Sequence, residues 1–264
     1  MKKSYAQIIL LIAVLIIAVG FLFIQNKWGK TPIAGPADPA QSQPAVTSFA
    51  TLDVSKIQTT KTKDNSDPGY SISLEYPINI VGSDYIKSQI DGDLTFFKTE
   101  NDVSTMTPDE IKNYGPSAEH QYSFITMYKA YHNANYLTHR IDTYTFSGGA
   151  HGGTVVVTYT YNTKGDLVAL PNLFLNNTTA VKAFSDKITA ILKTPPYKDR
   201  INTEVFSGGA GPDLNNFSAF AFDGSNLRVI FQQYQVGPYS SGIIEVPIPL
   251  AELQGILKPE YLSY

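Results

Sequence analysis

The feature that most constrains this chain lies near its start. The 23 residues from Ser4 to Asn26 carry no charge, and their centre, Ile8–Ile24, reads IILLIAVLIIAVGFLFI. A helix of that length rises about 34 Å, against a bilayer hydrocarbon core of about 30 Å. Tyr5 and Trp28 flank the run, where amphipathic rings favour the headgroup level. A secretory h-region is shorter, about 7–15 residues, and no small-x-small cleavage site follows. The expectation is a signal-anchor over residues 8–28 that sits in the lipid bilayer; a cleaved signal peptide is the alternative. Lys2 and Lys3 before the span nearly balance Lys27 and Lys30 after it, so charge alone does not orient it. Residues 1–7 are too few to fold. The working part is therefore expected C-terminal to a single-pass anchor, outside the cytoplasm at the cell membrane.

Residues 29–50 contain Pro32, Pro36, Pro39 and Pro44 among small and polar residues. They read as a stalk, able to extend at about 3.1 Å per residue. The patch KTKDNSDPG at 61–69 reads as polar turn. A domain over 51–264 is expected, long enough for one sizeable core. With 43% hydrophobic and only 16% charged residues, disorder is excluded. The absence of cysteine excludes disulfides, thiolate metal sites, a cysteine nucleophile and a lipobox anchor. Four of the 20 basic residues lie at or before Lys30, while all 23 acids lie beyond it. Residues 31–264 thus hold 16 bases and 23 acids, a net of −7. That balance disfavours nucleic acid as a partner and suits a cationic one, or simply solubility.

Ile72, Leu74, Tyr76, Ile78 and Ile80 alternate, which predicts a strand. Ile86, Ile90, Leu94 and Phe97 predict an amphipathic helix, with Ser83 and Asp84 as caps. Segments 120–132, 136–146 and 154–161 are rich in aromatic and β-branched residues and read as strands, followed by a turn at Asn162–Asp166. A second helix is expected over 178–193, with Val181, Phe184, Ile188 and Ile191 on one face, and a short one over 198–205. Strands near 217–222, 227–234 and 242–248 and a helical turn near 250–257 complete the chain. The predicted class is α+β, an antiparallel sheet with two or three packed helices.

Chemistry-bearing motifs are few. His120, His132, His139 and His151 fall within 32 residues, but none has helix-borne zinc spacing, and HExxH is absent. Strand pairing could still bring two together across a hairpin. There is no nucleophile elbow, Walker loop or dinucleotide fingerprint. Two glycine segments share FSGGA. The first, Phe146–Gly153, places Ser147, Gly148, Gly149, His151 and Gly152 together; the second spans Phe206–Pro212. The first is either a binding loop or a tight crossover, and the second reads better as a crossover. A third segment, Tyr234-Gln235-Val236-Gly237-Pro238-Tyr239-Ser240-Ser241-Gly242, reads as a loop between two strands. The candidate binding residues are Ser147, Gly148, Gly149, His151, Gly152, Tyr234, Gly237, Pro238, Tyr239 and Gly242. No catalytic residue, metal or cofactor is assigned.

Four segments taken together carry a resemblance: ISLEYP at Ile72–Pro77, YTFSGGAHG at Tyr144–Gly152, YNTKGDLVALPNLF at Tyr161–Phe174, and FQQYQVGPYSSGIIEVPIPL at Phe231–Leu250. They resemble the paired domains of unknown function shared by RsiV-type anti-sigma factor ectodomains and the N-terminal regions of PdaC-type peptidoglycan deacetylases. The similarity covers roughly residues 70–257. It implies an extracytoplasmic α+β module, which serves RsiV-type proteins as a lysozyme receptor and precedes a catalytic domain in PdaC-type proteins. With only Met1–Gln7 before the span, sigma-factor sequestration is not expected. The expected function is a non-catalytic bacterial envelope module that binds a protein or a peptidoglycan-related glycan, with lysozyme-like hydrolases the sharpest candidate. The alternatives are a cell-wall hydrolase or metal-dependent enzyme using His151, and a structural envelope protein.

Overall fold

The computed structural model describes residues 46–67, 69–117, 120–175 and 178–264. The expected anchor and most of the stalk lie outside the described residues. No helix among those described is long and apolar enough to cross a membrane.

The alternating and β-branched runs form strands β1 (Thr59–Asp64), β2 (Tyr70–Pro77), β3 (Tyr122–His132), β4 (Tyr136–Phe146) and β5 (Gly153–Asn162). They hydrogen-bond in the order β1-β2-β3-β4-β5. Three of the four pairings are antiparallel, but β2 runs parallel to β3, with Tyr70 opposite Tyr122. A parallel neighbour needs a long crossover. Here it contains helices α1 (Ser83–Glu100) and α2 (Pro108–Tyr114). A second sheet, β6 (Phe220–Asp223), β7 (Asn226–Phe231) and β8 (Ile244–Pro249), is an antiparallel meander. Before it come α3 (Leu170–Leu173), α4 (Thr178–Leu192) and α5 (Thr203–Gly209). The fold is α+β, with two sheets rather than the one expected, and five helices among the described residues.

The 59–64 stretch corrects the reading of 61–69 as turn. Thr59–Asp64 pairs with Ile72–Pro77 as an edge strand. Its outer residues are polar because an unpaired edge rich in lysine resists pairing with other chains.

Each sheet has its own apolar cluster. Ile86, Ile90 and Phe97 of α1 pack on Tyr70, Ile72, Tyr76, Tyr122, Phe124 and Ile141. The spacing of the α1 residues puts them on one face. Ser83 and Asp84 do not cap this helix. Its N-cap is Gly82, with φ 80° and no side-chain capping bond. The Tyr161 ring lies where a Cβ would stand, so a capping side chain has no room. The other cluster joins Leu170, Leu173, Phe184, Ile188 and Leu192 to Phe222, Leu227, Val229, Phe231, Val246 and Ile248. Burying each such side chain contributes about 1.5–3 kcal/mol.

The two sheets meet through polar groups as well. The backbone N–H groups of Phe220 and Phe222, on the outer edge of β6, donate to the hydroxyls of Thr158 (3.1 Å) and Thr138 (3.3 Å). Buried donors left without acceptors would each cost about 1–3 kcal/mol. Nearby, the Arg140 side chain is only 2% exposed. It donates to Asp142 through Nε (2.5 Å) and Nη2 (2.9 Å), and through Nη1 to Glu245 (2.5 Å) and Tyr131 (3.1 Å). Arg228 donates to Glu245 at 3.2 Å and pairs with Asp223. Burial works against the Arg140 charge, but the hydrogen bonds to Asp142 and Glu245 win and raise its pKa. This network ties β4 to β6, β7 and β8.

The shared FSGGA does not mark a repeat. Phe206–Gly209 forms the end of α5, whereas Phe146 ends β4 and its glycines form a turn. Helix α5 itself lies over 203–209 rather than the expected 198–205.

Candidate functional site

Strand β4 runs between two ends of the large sheet. Eleven residues span roughly 35 Å. At one end, the β3–β4 hairpin receives the chain near the start of the described residues. Phe49 N–H donates to Ala134 O (2.8 Å) and Val46 N–H to Thr163 O (3.1 Å). Ser263 is held there too, by the Asn135 side chain. At the other end, β4 delivers the FSGGAHG turn. Gly148 and Gly149 both take left-handed φ values, 86° and 92°, which non-glycine residues adopt at a cost.

That turn returns the chain so that His151 meets the β7–β8 loop. The imidazole stacks on the Tyr239 ring, with centroids 4.0 Å apart and planes 21° apart. Tyr234 stands 5.6 Å from Tyr239, tilted by 36°. His151 Nδ1 lies 3.0 Å from the Gly152 carbonyl, which can only accept, so the proton sits on Nδ1. Nε2 is then the acceptor facing the Tyr234 hydroxyl at 3.5 Å. The Tyr239 hydroxyl donates to the same Gly152 carbonyl at 3.1 Å. Gly152 is required by contact: a Cβ there would lie 2.5 Å from Cζ of Tyr144.

The loop beneath these rings is fastened by glutamines. Gln232 accepts from Val156 N–H through Oε1 (2.8 Å) and donates to Val156 O through Nε2 (2.8 Å). Gln233 Oε1 accepts from Thr154 N–H at 2.7 Å. The side chains thus pair with the open edge of β5 as a further strand would. Gln235 accepts from Gln232 N–H (2.9 Å) and donates to Gly209 O (2.8 Å) and Asn216 O (2.7 Å). Between these anchors Tyr234 is held at φ 64°, a sparsely populated conformation for a tyrosine. The residue is 45% exposed.

The structure therefore divides the residues singled out from sequence. His151, Tyr234, Pro238, Ser147 and Gly149 face solvent, and Tyr239 is half-buried. Gly152 and Gly237 are buried. A Cβ on Gly237 would collide with the Arg200 carbonyl, and Gly242, at φ 61°, turns the chain into β8. These glycines shape the loop rather than offer a surface. Tyr144 and the three glutamines were not singled out, although Q-Q-Y-Q directly after a strand is a visible signal.

The other histidines do not join His151. Across the hairpin, His132 opposes Leu137 and His139 opposes Ala130. His139 is fully buried, with Nε2 2.9 Å from Val81 O and Nδ1 2.7 Å from the Tyr128 hydroxyl. No group of three potential metal ligands converges among the described residues.

The family model described as deacetylase PdaC matches residues 56–154, and the DUF3298 model, of unknown function, matches residues 171–251. The chain carries paired PdaC-type and DUF3298 domains. The peptidoglycan-N-acetylmuramic acid deacetylase PdaC of Bacillus subtilis (strain 168) is 28% identical over 122 residues, 46% of this chain. That match spans 26% of the deacetylase, so the chain corresponds to about a quarter of that relative. A crystal structure of a DUF3298 family member from Bacteroides fragilis NCTC 9343 aligns with TM-score 0.52 at 16% identity, covering 77% of this chain and 93% of that one. Another, from Pseudomonas aeruginosa PAO1, gives TM-score 0.50 at 14% identity, covering 79% and 96%. These structures share the fold. His151 and Gly152 belong to the PdaC-type region, while Tyr234 and Tyr239 belong to the DUF3298 region. The aromatic cluster exists only where the two domains meet, as does the Arg140–Glu245 pair.

Proposed function

We propose that this chain is a tethered extracytoplasmic module that binds a cell-envelope ligand through the His151–Tyr239–Tyr234 cluster, without chemistry of its own. The observation that carries this reading is the exposed ring set built from both domains. It stands at the end of the sheet opposite the hairpin where residues 46–49 join the folded body. Residues 46–49 enter the folded body at the hairpin, so they do not cover the aromatic end. The apolar run at 8–28 supplies the tether. The similarity to a peptidoglycan deacetylase supports a cell-wall setting. His151 stacks on Tyr239 and is held by the Gly152 carbonyl, which fixes the ring as part of the contact surface.

The chain has no cysteine, so Ser147→Cys introduces a single thiol at the aromatic end. Intact cells treated with a membrane-impermeant maleimide should label this variant. Labelling only after lysis would refute an extracytoplasmic module. A second reading, capture of a cationic lysozyme-like hydrolase, is favoured by the net charge of −7 from 16 bases and 23 acids over 31–264. It predicts retention of hen-type lysozyme by the immobilised chain at low salt, lost at high salt.

A further inference from the structure

The two stretches that form the aromatic end carry no charged side chain of their own. No Asp, Glu, Lys or Arg occurs between Asp142 and Lys164, or between Arg228 and Glu245. Those two stretches contain every ring and loop of the cluster. The flanking charges Asp142, Arg228 and Glu245 are engaged with Arg140, with Asp223 and with one another. Arg200 does reach the second loop, but its guanidinium donates to the carbonyls of Ser241 (2.6 Å) and Ile243 (3.3 Å). Arg200 keeps its charge there, but neither stretch carries a carboxylate or a cation of its own, so a charged polymer would meet at most this single counter-charge and would lose hydration with little repayment.

What this surface does offer is of another kind. Tyr234 is 45% exposed, and its backbone is held at φ 64° from both sides. Strain of this sort persists where the surroundings enforce it, and it clusters at ligand contacts. Beside the ring stand neutral hydrogen-bonding groups: the Tyr234 hydroxyl itself and the amide of Gln233, while Ser147 and Ser240 are exposed elsewhere on the same two loops. Gln233 uses Oε1 on Thr154, while its Nε2 has no partner among the described residues. Aromatic faces beside neutral donors and acceptors match a polyol ring, whose C–H face covers the aromatic ring while its hydroxyls reach the amide and hydroxyl groups.

We infer that the aromatic end binds the pyranose rings of a neutral glycan, with Tyr234 as the stacking residue and the Gln233 amide as its hydrogen-bonding neighbour. This deepens the function proposed above and rests on it for the side of the membrane that the ligand occupies.

The test uses the full chain in detergent and three probes: chitohexaose, cellohexaose and purified peptidoglycan sacculi. Saturable binding to one or more is expected, changing less than about twofold between 50 and 500 mM salt because no ion pair forms. Tyr234→Ala should weaken it about tenfold, and Tyr234→Phe should retain most of it. Binding to sacculi or chitohexaose identifies wall glycan as the source, and binding to cellohexaose alone identifies another neutral polysaccharide. Equal thermal melting of the variants shows that folding is intact. The inference is overturned by no saturable binding to any probe, by undiminished binding in Tyr234→Ala, or by binding that collapses with salt. The maleimide assay stays independent: labelling of Ser147→Cys cells together with no glycan binding by the unmodified wild-type chain sinks the ligand class and spares the extracytoplasmic module.

Discussion

Acid should destabilise this protein through one buried imidazole. His139 is fully buried in the sheet. The Val81 carbonyl can only accept, so Nε2 carries the proton, and Nδ1 accepts from the Tyr128 hydroxyl. The ring is therefore neutral. Tyr159 lies opposite it in β5, and the Tyr161 ring stands 5.9 Å away. Burial pushes the His139 pKa from 6.5 down to about 4, although the bond to Val81 resists the shift. In the unfolded chain the same ring takes a proton near pH 6.5. Between the two values the unfolded state holds more protons, so stability falls as pH drops from about 6.5 towards about 4 and is unaffected by this group above pH 7. A shift of about 2.5 units corresponds to about 3 kcal/mol, of which about 2–3 kcal/mol is lost by pH 4.5. Urea denaturation of wild type and His139→Gln at pH 7 and pH 4.5 measures it. The variant should be less stable at pH 7 yet lose less on acidification, the two losses differing by about 2 kcal/mol. Carboxylates such as Glu245 titrate in both proteins, so their effect cancels in the comparison. Equal losses would mean that His139 is not the proton acceptor and that the reasoning fails.

Three further outcomes are expected. Arg140→Met leaves the buried Asp142 without its partner, while Glu245 keeps Arg228, and should cost about 3 kcal/mol in chemical denaturation. Gly152→Ala drives a methyl group against the Tyr144 ring and the Thr145 carbonyl. It should lower stability by about 1–3 kcal/mol and lower Tm in calorimetry. Thr107→Ala removes a capping box in which Thr107 and Glu110 satisfy each other's backbone N–H. A loss of about 1 kcal/mol is expected by urea unfolding.

Where residues alternate or recur with a helical period, the sequence is readable. β3 and β4 match the predicted segments closely, as do α1 and α4, because an apolar face must repeat in step with the backbone. β1 has no such signature. Its threonines and lysines face solvent from an edge, and a polar strand looks like a turn. α2 was missed for the same reason, although Thr107 and Glu110 stand at the spacing of a capping box. The parallel step from β2 to β3 depends on a crossover that no local pattern encodes. For the candidate site, the glycine segments around His151 and Tyr239 were visible. Their stacking was not, because it depends on how the domains join. The second FSGGA shows the same limit: five identical residues form a turn in one place and a helix end in the other.

The glutamine contacts on β5 have a consequence for neighbouring molecules. An open sheet rim invites another chain to add a strand, and many copies side by side on a surface would meet that hazard often. In this molecule Gln232 and Gln233 occupy the rim at Val156 and Thr154. Strand addition at Thr154–Val156 is thus blocked by the protein's own amides, whereas the far edge, β1, relies on its exposed lysines.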